Sequence, residues 1–146
     1  KQAIEISDKF DIDIVQLPGS IFDQEVLDEE IGKQLKEKNI EVHVRSLFLQ
    51  GVVFLQPSSL PAHLNILAPQ LAKLKQLSTK RNKSIISFAL SPFIKNKYID
   101  QLVIGCCSSL ELKEIIQAYQ DATGLDWDYS SFASKDEKII KPSLWP

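Results

Sequence analysis

Three short runs rich in β-branched residues set the frame of this chain: DIDIVQL at 11–17, IEVHV at 40–44 and DQLVI at 100–104. The gaps between them are far too long for hairpins. Helical periodicity fills them. Strands that alternate with helices predict parallel βα units. The expected order is helix, strand, helix, strand, helix, helix, strand, helix. A chain of 146 residues suits a single domain, 1–146, with a sizeable core. Three parallel strands, however, make only part of a sheet. Parallel sheets are normally covered on both faces, and an isolated three-stranded one leaves edges open to other chains.

The middle run carries the most information. From Asn39 to Phe54 (NIEVHVRSLFLQGVVF), Ile40, Val42 and Val44 alternate with Glu41, His43 and Arg45. The segment then turns continuously apolar, interrupted by Gln50-Gly51. A buried strand that runs into a loop with Arg45, Ser46, Gln50 and Gly51 is where α/β proteins keep binding groups. His43 falls on the strand, where a structural role is the simpler reading.

The flanking segments follow helical rules. Residues 1–10 place Ala3, Ile4, Ile6 and Phe10 on one face, as at the end of a helix. The first run, with Ile12, Ile14 and Val15, reads as a short buried strand, and Pro18-Gly19 stops it. Asp23 is placed to cap a helix reaching Lys38, with Val26, Leu27, Ile31 and Leu35 inward. Its carboxylate run, Asp28-Glu29-Glu30, reads as a solvated face. Ser59 is expected to cap the next helix, with Pro61 in its first turn. Leu64, Leu67, Leu71, Leu74 and Leu77 form that helix's core stripe. Over 83–95, Pro92 is expected to bend or end the helix. Ser108 and Glu111 form an S-x-x-E capping box for the last long helix. Its apolar face is Leu110, Leu112, Ile115, Ile116 and Tyr119, and Gly124 ends it. The tail reads as a short helix and an extended arm. Its aromatics, Trp127, Tyr129, Phe132 and Trp145, either line a pocket or anchor the tail, and anchoring is the simpler reading.

Composition excludes several classes. A net charge of −2 leaves no electrostatic footprint for nucleic acid or an anionic membrane. No apolar run approaches the roughly 20 residues needed to span a bilayer. Lysines near 73–83 fit a helix C-terminus better than a phosphate patch. Cys106 and Cys107 are adjacent, so reduced thiols and a cytoplasmic setting are expected. No metal-ligand pattern stands out. The chain contains no Met. It is therefore expected either to have lost a leader or to be a piece of a longer protein.

VQLPGSIFDQ, IEVHVRSLFLQGVVFL and LVIGCCSSLELKEI, in this order and spacing, resemble the last three barrel strands of the aldo/keto reductases. The bacterial branch with an RS-x-F-L-Q-G loop is the nearest in look, and the closing KPSLWP resembles its tail. The resemblance covers nearly the whole chain. It implies the C-terminal half of a (β/α)8 TIM barrel that binds NADP or NAD at the strand C-termini. It also implies site roles. Gln16 matches the glutamine that hydrogen-bonds the nicotinamide carboxamide. Arg45 matches the residue against the nicotinamide face. Ser46, Leu47, Leu49, Gln50 and Gly51 match the loop along the pyrophosphate. Gly105, Cys106 and Ser108 match the phosphate-side turn, and Glu114 a glutamate that meets the adenine.

The departures narrow what is implied. Members that prefer NADPH carry Lys-Ser at Gly105-Cys106, Arg at Glu111 and Asn at Ile115. Here the basic residues are gone, and Glu111 would repel a 2′-phosphate. The family's catalytic Asp, Tyr, Lys and His come from the first half of the barrel, and no residue of this chain matches them. The expectation is therefore an oxidoreductase half that holds a nicotinamide cofactor for reduction of a small carbonyl substrate but lacks the reaction alone. A non-catalytic half-barrel that dimerises or pairs with an N-terminal half is the alternative, and an unrelated small α/β binding domain is a third.

Overall fold

The computed structural model describes residues 2–146. Its elements are α1 (Gln2–Ser7), β1 (Ile14–Pro18), α2 (Glu29–Glu37), β2 (Glu41–Arg45), α3 (Ala68–Arg81), α4 (Ile85–Ile94), β3 (Gln101–Leu102), α5 (Ser109–Thr123) and α6 (Glu137–Ile140). The three strands form one parallel sheet in the order β1-β2-β3. Adjacent strands are thus consecutive in sequence, with a helical crossover between each pair. This is the arrangement of a barrel wall, in which the chain winds in one direction.

The pleat divides the sheet into two unlike faces. Val15, Leu17, Val42, Val44 and Leu102 point to one side and pack on Val26, Leu35, Leu90 and Phe93 from the helices. Ile14, Gln16, Glu41, His43, Arg45 and Gln101 point to the other, where only His43 is even partly buried. The first strand is therefore not the buried strand expected. Ile14 lies exposed on an edge, and only Val15 and Leu17 are covered. Gly19 ends β1 because nothing larger fits: a Cβ there would lie 2.7 Å from Val26 Cγ1 and 2.8 Å from Val44 Cγ1.

A second core lies beneath the long β2–α3 connection. It joins Ile21, Phe22, Leu49, Val52, Val53, Leu64, Leu67, Leu71, Leu74 and Phe88 to Phe132 and Ile139 of the tail. The leucine stripe is as expected, but its entry is not. Pro57–Ser59 and Ala62–Leu67 are 3-10 turns, and α3 starts at Ala68 with no side-chain cap. Ser59 caps nothing, because a six-residue 3-10 turn intervenes.

Two further expectations are corrected. Asp28, not Asp23, caps α2: its carboxylate accepts from the N–H groups of Glu30 and Ile31. Asp23 instead lies buried in the turn before the Glu25–Leu27 3-10 segment. Pro92 does not end α4 at its own position, since the helix runs on to Ile94. The reason is local. Proline leaves the carbonyl four residues earlier without its usual donor, and here the Ser91 hydroxyl donates to Phe88 O at 3.2 Å. Trp127 Nε1 in turn donates to Ser91 Oγ at 2.7 Å. A tail aromatic therefore completes a helix repair, and Trp127 also stacks edge-on against Phe88 and Phe132. Trp127 and Phe132 anchor the tail. Trp145 is tied back by donating to Ile139 O.

The long C-terminal helix departs most. Ser108 accepts from Glu111 N, and Glu111 Oε2 accepts from Cys107 N at 2.7 Å, so the capping pair is present. Yet α5 buries only Ala118 and Ala122. Leu110, Leu112, Ile116 and Tyr119 are exposed, as is Val103 beside them. The apolar face read from the sequence is real, but of its residues only Ile115 is half-buried, and the rest are left uncovered among the described residues.

Candidate functional site

The residues after β2 take an unusual backbone path. Ser46, Leu49 and Gln50 have φ of 64, 44 and 53°, and Gly51 follows at 84°. Left-handed geometry costs a non-glycine residue roughly 1–2 kcal/mol, so three such residues in one loop are held by their surroundings. The fixing groups are Leu47 and Leu49, whose side chains are both buried in the two cores. Their contribution at the surface is consequently backbone alone. The N–H groups of Leu49, Gly51 and Val52 are consumed by the turn, donating to Ser46, Phe48 and Leu49 carbonyls. Those of Leu47, Phe48 and Gln50 donate to no acceptor among the described residues.

This loop forms one wall of a cleft of about 250 Å³ at the C-terminal ends of β2 and β3. Ser46, Leu47, Phe48, Gln50 and Gly51 face Val103, Ile104 and Gly105 across it. A Cβ added at Gly51 or Gly105 would meet no atom within 4 Å, so the floor is open. Five of the residues implied by the family resemblance are thus brought together: Ser46, Leu47, Gln50, Gly51 and Gly105. Cys106 and Ser108 sit next along the chain, exposed at the start of α5. Gln16 lies two residues before the end of β1, in register with His43 on the open face, and does not line this cleft. Leu49 and Glu114 do not line it either.

Free backbone N–H groups, an open glycine floor and the N-terminus of a 15-residue helix fit an anionic, phosphate-bearing ligand. The fit is poorer for an additional phosphate near α5. The Glu111 carboxylate already occupies the helix start, where it accepts from Cys107 N.

A second cleft of about 260 Å³ opens on the other side of the same loop. Arg45, Ser46, Leu49 and Gln50 line it together with the 18–25 turn and the tail at 140–143. Arg45 Nη1 donates to Ser46 Oγ at 3.2 Å across its mouth. Asp23 faces this space at 8% exposure. Burial raises its pKa above the ordinary 3.8, and the Glu25 charge adds to that, against the lowering effects of a Glu25 N–H and Lys141. Sequence reasoning missed Asp23 and Lys141 as site candidates. Asp23 was assigned to a helix cap, and Lys141 is more than a hundred residues away. A third and larger groove, about 560 Å³, lies between β3 and α5 and is lined by Ile99, Leu102, Ile104, Ile116 and Tyr119 among others. It is the uncovered apolar edge of the fold.

Neither of the two loop clefts is lined by a tyrosine or a histidine. Tyr98 packs against Gly32, Tyr129 lies against Trp127, and His43 Nε2 sits 3.2 Å from Glu41 Oε2. Among the described residues no group of His, Cys, Asp and Glu is arranged to hold a metal, and no helix is long and apolar enough to cross a membrane.

Architecture and site together define one half of a (β/α)8 barrel, with its open loops at the strand C-termini. Among solved structures, the chain is similar to the apo form of the aldo-keto reductase AKR11C1 from Bacillus halodurans, at a TM-score of 0.67 and 16% identity. The match covers 99% of this chain and 50% of that one, so this chain spans half the length of that relative. No protein-family model and no curated protein matches the sequence.

Proposed function

We propose that this chain is the cofactor-holding C-terminal half of an aldo/keto reductase-type oxidoreductase. The observation that carries the reading is the cleft at the β2 and β3 ends, lined by Leu47, Phe48 and Gln50, whose N–H groups have no acceptor among the described residues, and by Gly51 and Gly105. The half-length fold match to AKR11C1 supports it. Ser46, Leu47, Gln50 and Gly51 would hold a pyrophosphate through backbone donors and the Ser46 hydroxyl. Gly105, Cys106 and Ser108 would meet the ribose-phosphate side at the start of α5, with Glu114 further along that helix. Arg45 and Gln16, both on the open face of the sheet, would address the nicotinamide end. Leu49 serves by fixing the loop from below. A bound nicotinamide would supply a hydride; this chain's residues would position it and pair its phosphates. NAD is favoured over NADP, because the Glu111 carboxylate stands where a 2′-phosphate would need a cation.

Neither cleft is lined by a tyrosine or histidine of the kind the family uses as proton donor, and no carbonyl reduction is expected of this chain alone. The uncovered β3–α5 groove and the exposed face of α5 suit completion of the sheet by a further half-barrel, either an N-terminal half or a second copy. The test is direct: NADH and NADPH oxidation with a panel of aldehydes, using the 146-residue chain. Binding without turnover is expected. Aldehyde-dependent oxidation by the purified chain would overturn the reading.

A further inference from the structure

The cleft between the 18–25 turn, the 45–50 loop and the tail shares Arg45, Ser46, Leu49 and Gln50 with the proposed cofactor site, but its other wall, the turn and the tail, has no role there. Its distinguishing group is Asp23. The residue is more than nine-tenths buried, yet its carboxylate is nearly unpartnered. Oδ1 accepts one long bond from Glu25 N, at 3.4 Å, and Oδ2 accepts none. The turn around it is held by other atoms: Ser20 Oγ accepts from the N–H groups of Phe22 and Asp23, and Ser20 N donates to Asp23 O. The carboxylate is therefore not needed to make the turn. Its free oxygen opens on the cleft, where it can accept from a donor on a bound molecule.

The cations of the cleft do not complete this carboxylate. Lys141 lines the same cleft and feels Asp23 electrostatically, but its ammonium is bonded to Glu137 at 2.5 Å. Arg45 also lines the cleft, with its guanidinium on Ser46 Oγ. The cleft wall thus carries one open acceptor and two cations with donors to spare. That is the complement of a molecule with a hydrogen-bond donor near one end and an anion at the other.

We propose that this cleft binds a small carboxylate that carries a hydroxyl or ammonium group, the donor on Asp23 and the carboxylate on Lys141 and Arg45. At about 260 Å³ the cleft admits only a small molecule. The site needs no cofactor, and its test is run without one.

The test is an amide-resonance titration of the full chain with glycolate and with glycine, using acetate and ethylene glycol as half-ligands. Glycolate, glycine or both should give saturable shifts at Ser20–Glu25 and Lys141–Ser143, and whichever binds identifies the donor. Acetate and ethylene glycol, each lacking one end, should bind at least about tenfold more weakly. Asp23→Asn and Lys141→Met should each weaken binding about tenfold, with Lys138→Ala as a neutral control. Two variants guard against a folding artefact, and unchanged resonances of the β2 residues confirm the fold. No saturable shifts with either full probe would overturn the proposal. So would acetate binding as tightly as glycolate or glycine, or an Asp23→Asn chain that binds unchanged.

Discussion

Helices α4 and α5 pack against each other and are treated oppositely by the fold. Seven consecutive residues of α4, Ser87 to Phe93, are buried. Over its 15 residues, α5 buries two alanines and leaves Leu110 at 65% exposure. Both sequences are apolar enough for a core. The difference lies in what surrounds them. The β2–α3 connection and the tail close over α4, down to Trp127 repairing the Pro92 gap. Among the described residues, nothing covers the outer face of α5 or the free edge of β3. The molecule has completed its packing on one side and is open on the other, and the proposed cofactor cleft sits over the seam.

The contrast can be broken by mutation. Phe88→Ala removes a ring with no exposed surface that touches Trp127, and should cost about 3–5 kcal/mol in a denaturant unfolding curve. A cost near that of a surface site would mean that the closed side is looser than described. Ser91→Ala should cost about 1–2 kcal/mol, because it strands both Phe88 O and Trp127 Nε1.

Asp100 sharpens the comparison from the open side, since it is what ties the short β3 to β2. Its carboxylate takes the Lys36 ammonium at 2.5 and 2.6 Å and Val42 N–H at 2.7 Å. Burial works against the ionised form, but these partners outweigh it and hold the pKa below 3.8. A lowered carboxylate contributes stability that is present above the unfolded value and is lost as pH falls through the folded one. Asp100→Asn should therefore cost about 1–2 kcal/mol at neutral pH and flatten the acid limb of a stability-pH curve. Asp23 has the opposite sign. Its raised pKa means that stability falls as pH climbs from 3.8 through the folded value. Asp23→Asn should remove that slope and leave the chain equally or slightly more stable at neutral pH. The smallest effect is expected on α5: Leu110→Ala should change stability by less than about 0.5 kcal/mol. A loss comparable to Phe88→Ala would show that the face is already covered in solution.

Much of this was legible in the chain, for identifiable reasons. β2 was readable because its alternation is strict and its apolar half is buried by the chain itself. The leucine stripe of α3 was readable for the same reason. β1 was misjudged because apolar strand residues normally imply a covered surface, and Ile14 has no cover here. The face of α5 was read as apolar, and it is, but periodicity reports what a surface wants and not whether a partner is present. Asp23 and Asp28 were exchanged as caps because both precede a run of helix formers, and only the intervening 3-10 turn decides between them. The grouping of Asp23 with Lys141 had no local signal at all. The left-handed loop could not be read from Ser46, Leu49 and Gln50, none of which advertises positive φ. Only Gly51 does.

The central claim is that the loop after β2 and the turn after β3 form one cofactor-holding surface without chemistry of its own. Amide-resonance mapping with NAD tests it most directly. The account predicts saturable shifts confined to Ser46–Gly51, Gly105–Ser108 and the first turns of α5, with NADP weaker. Absence of saturable shifts, or shifts that centre on the β3–α5 groove instead, would contradict it.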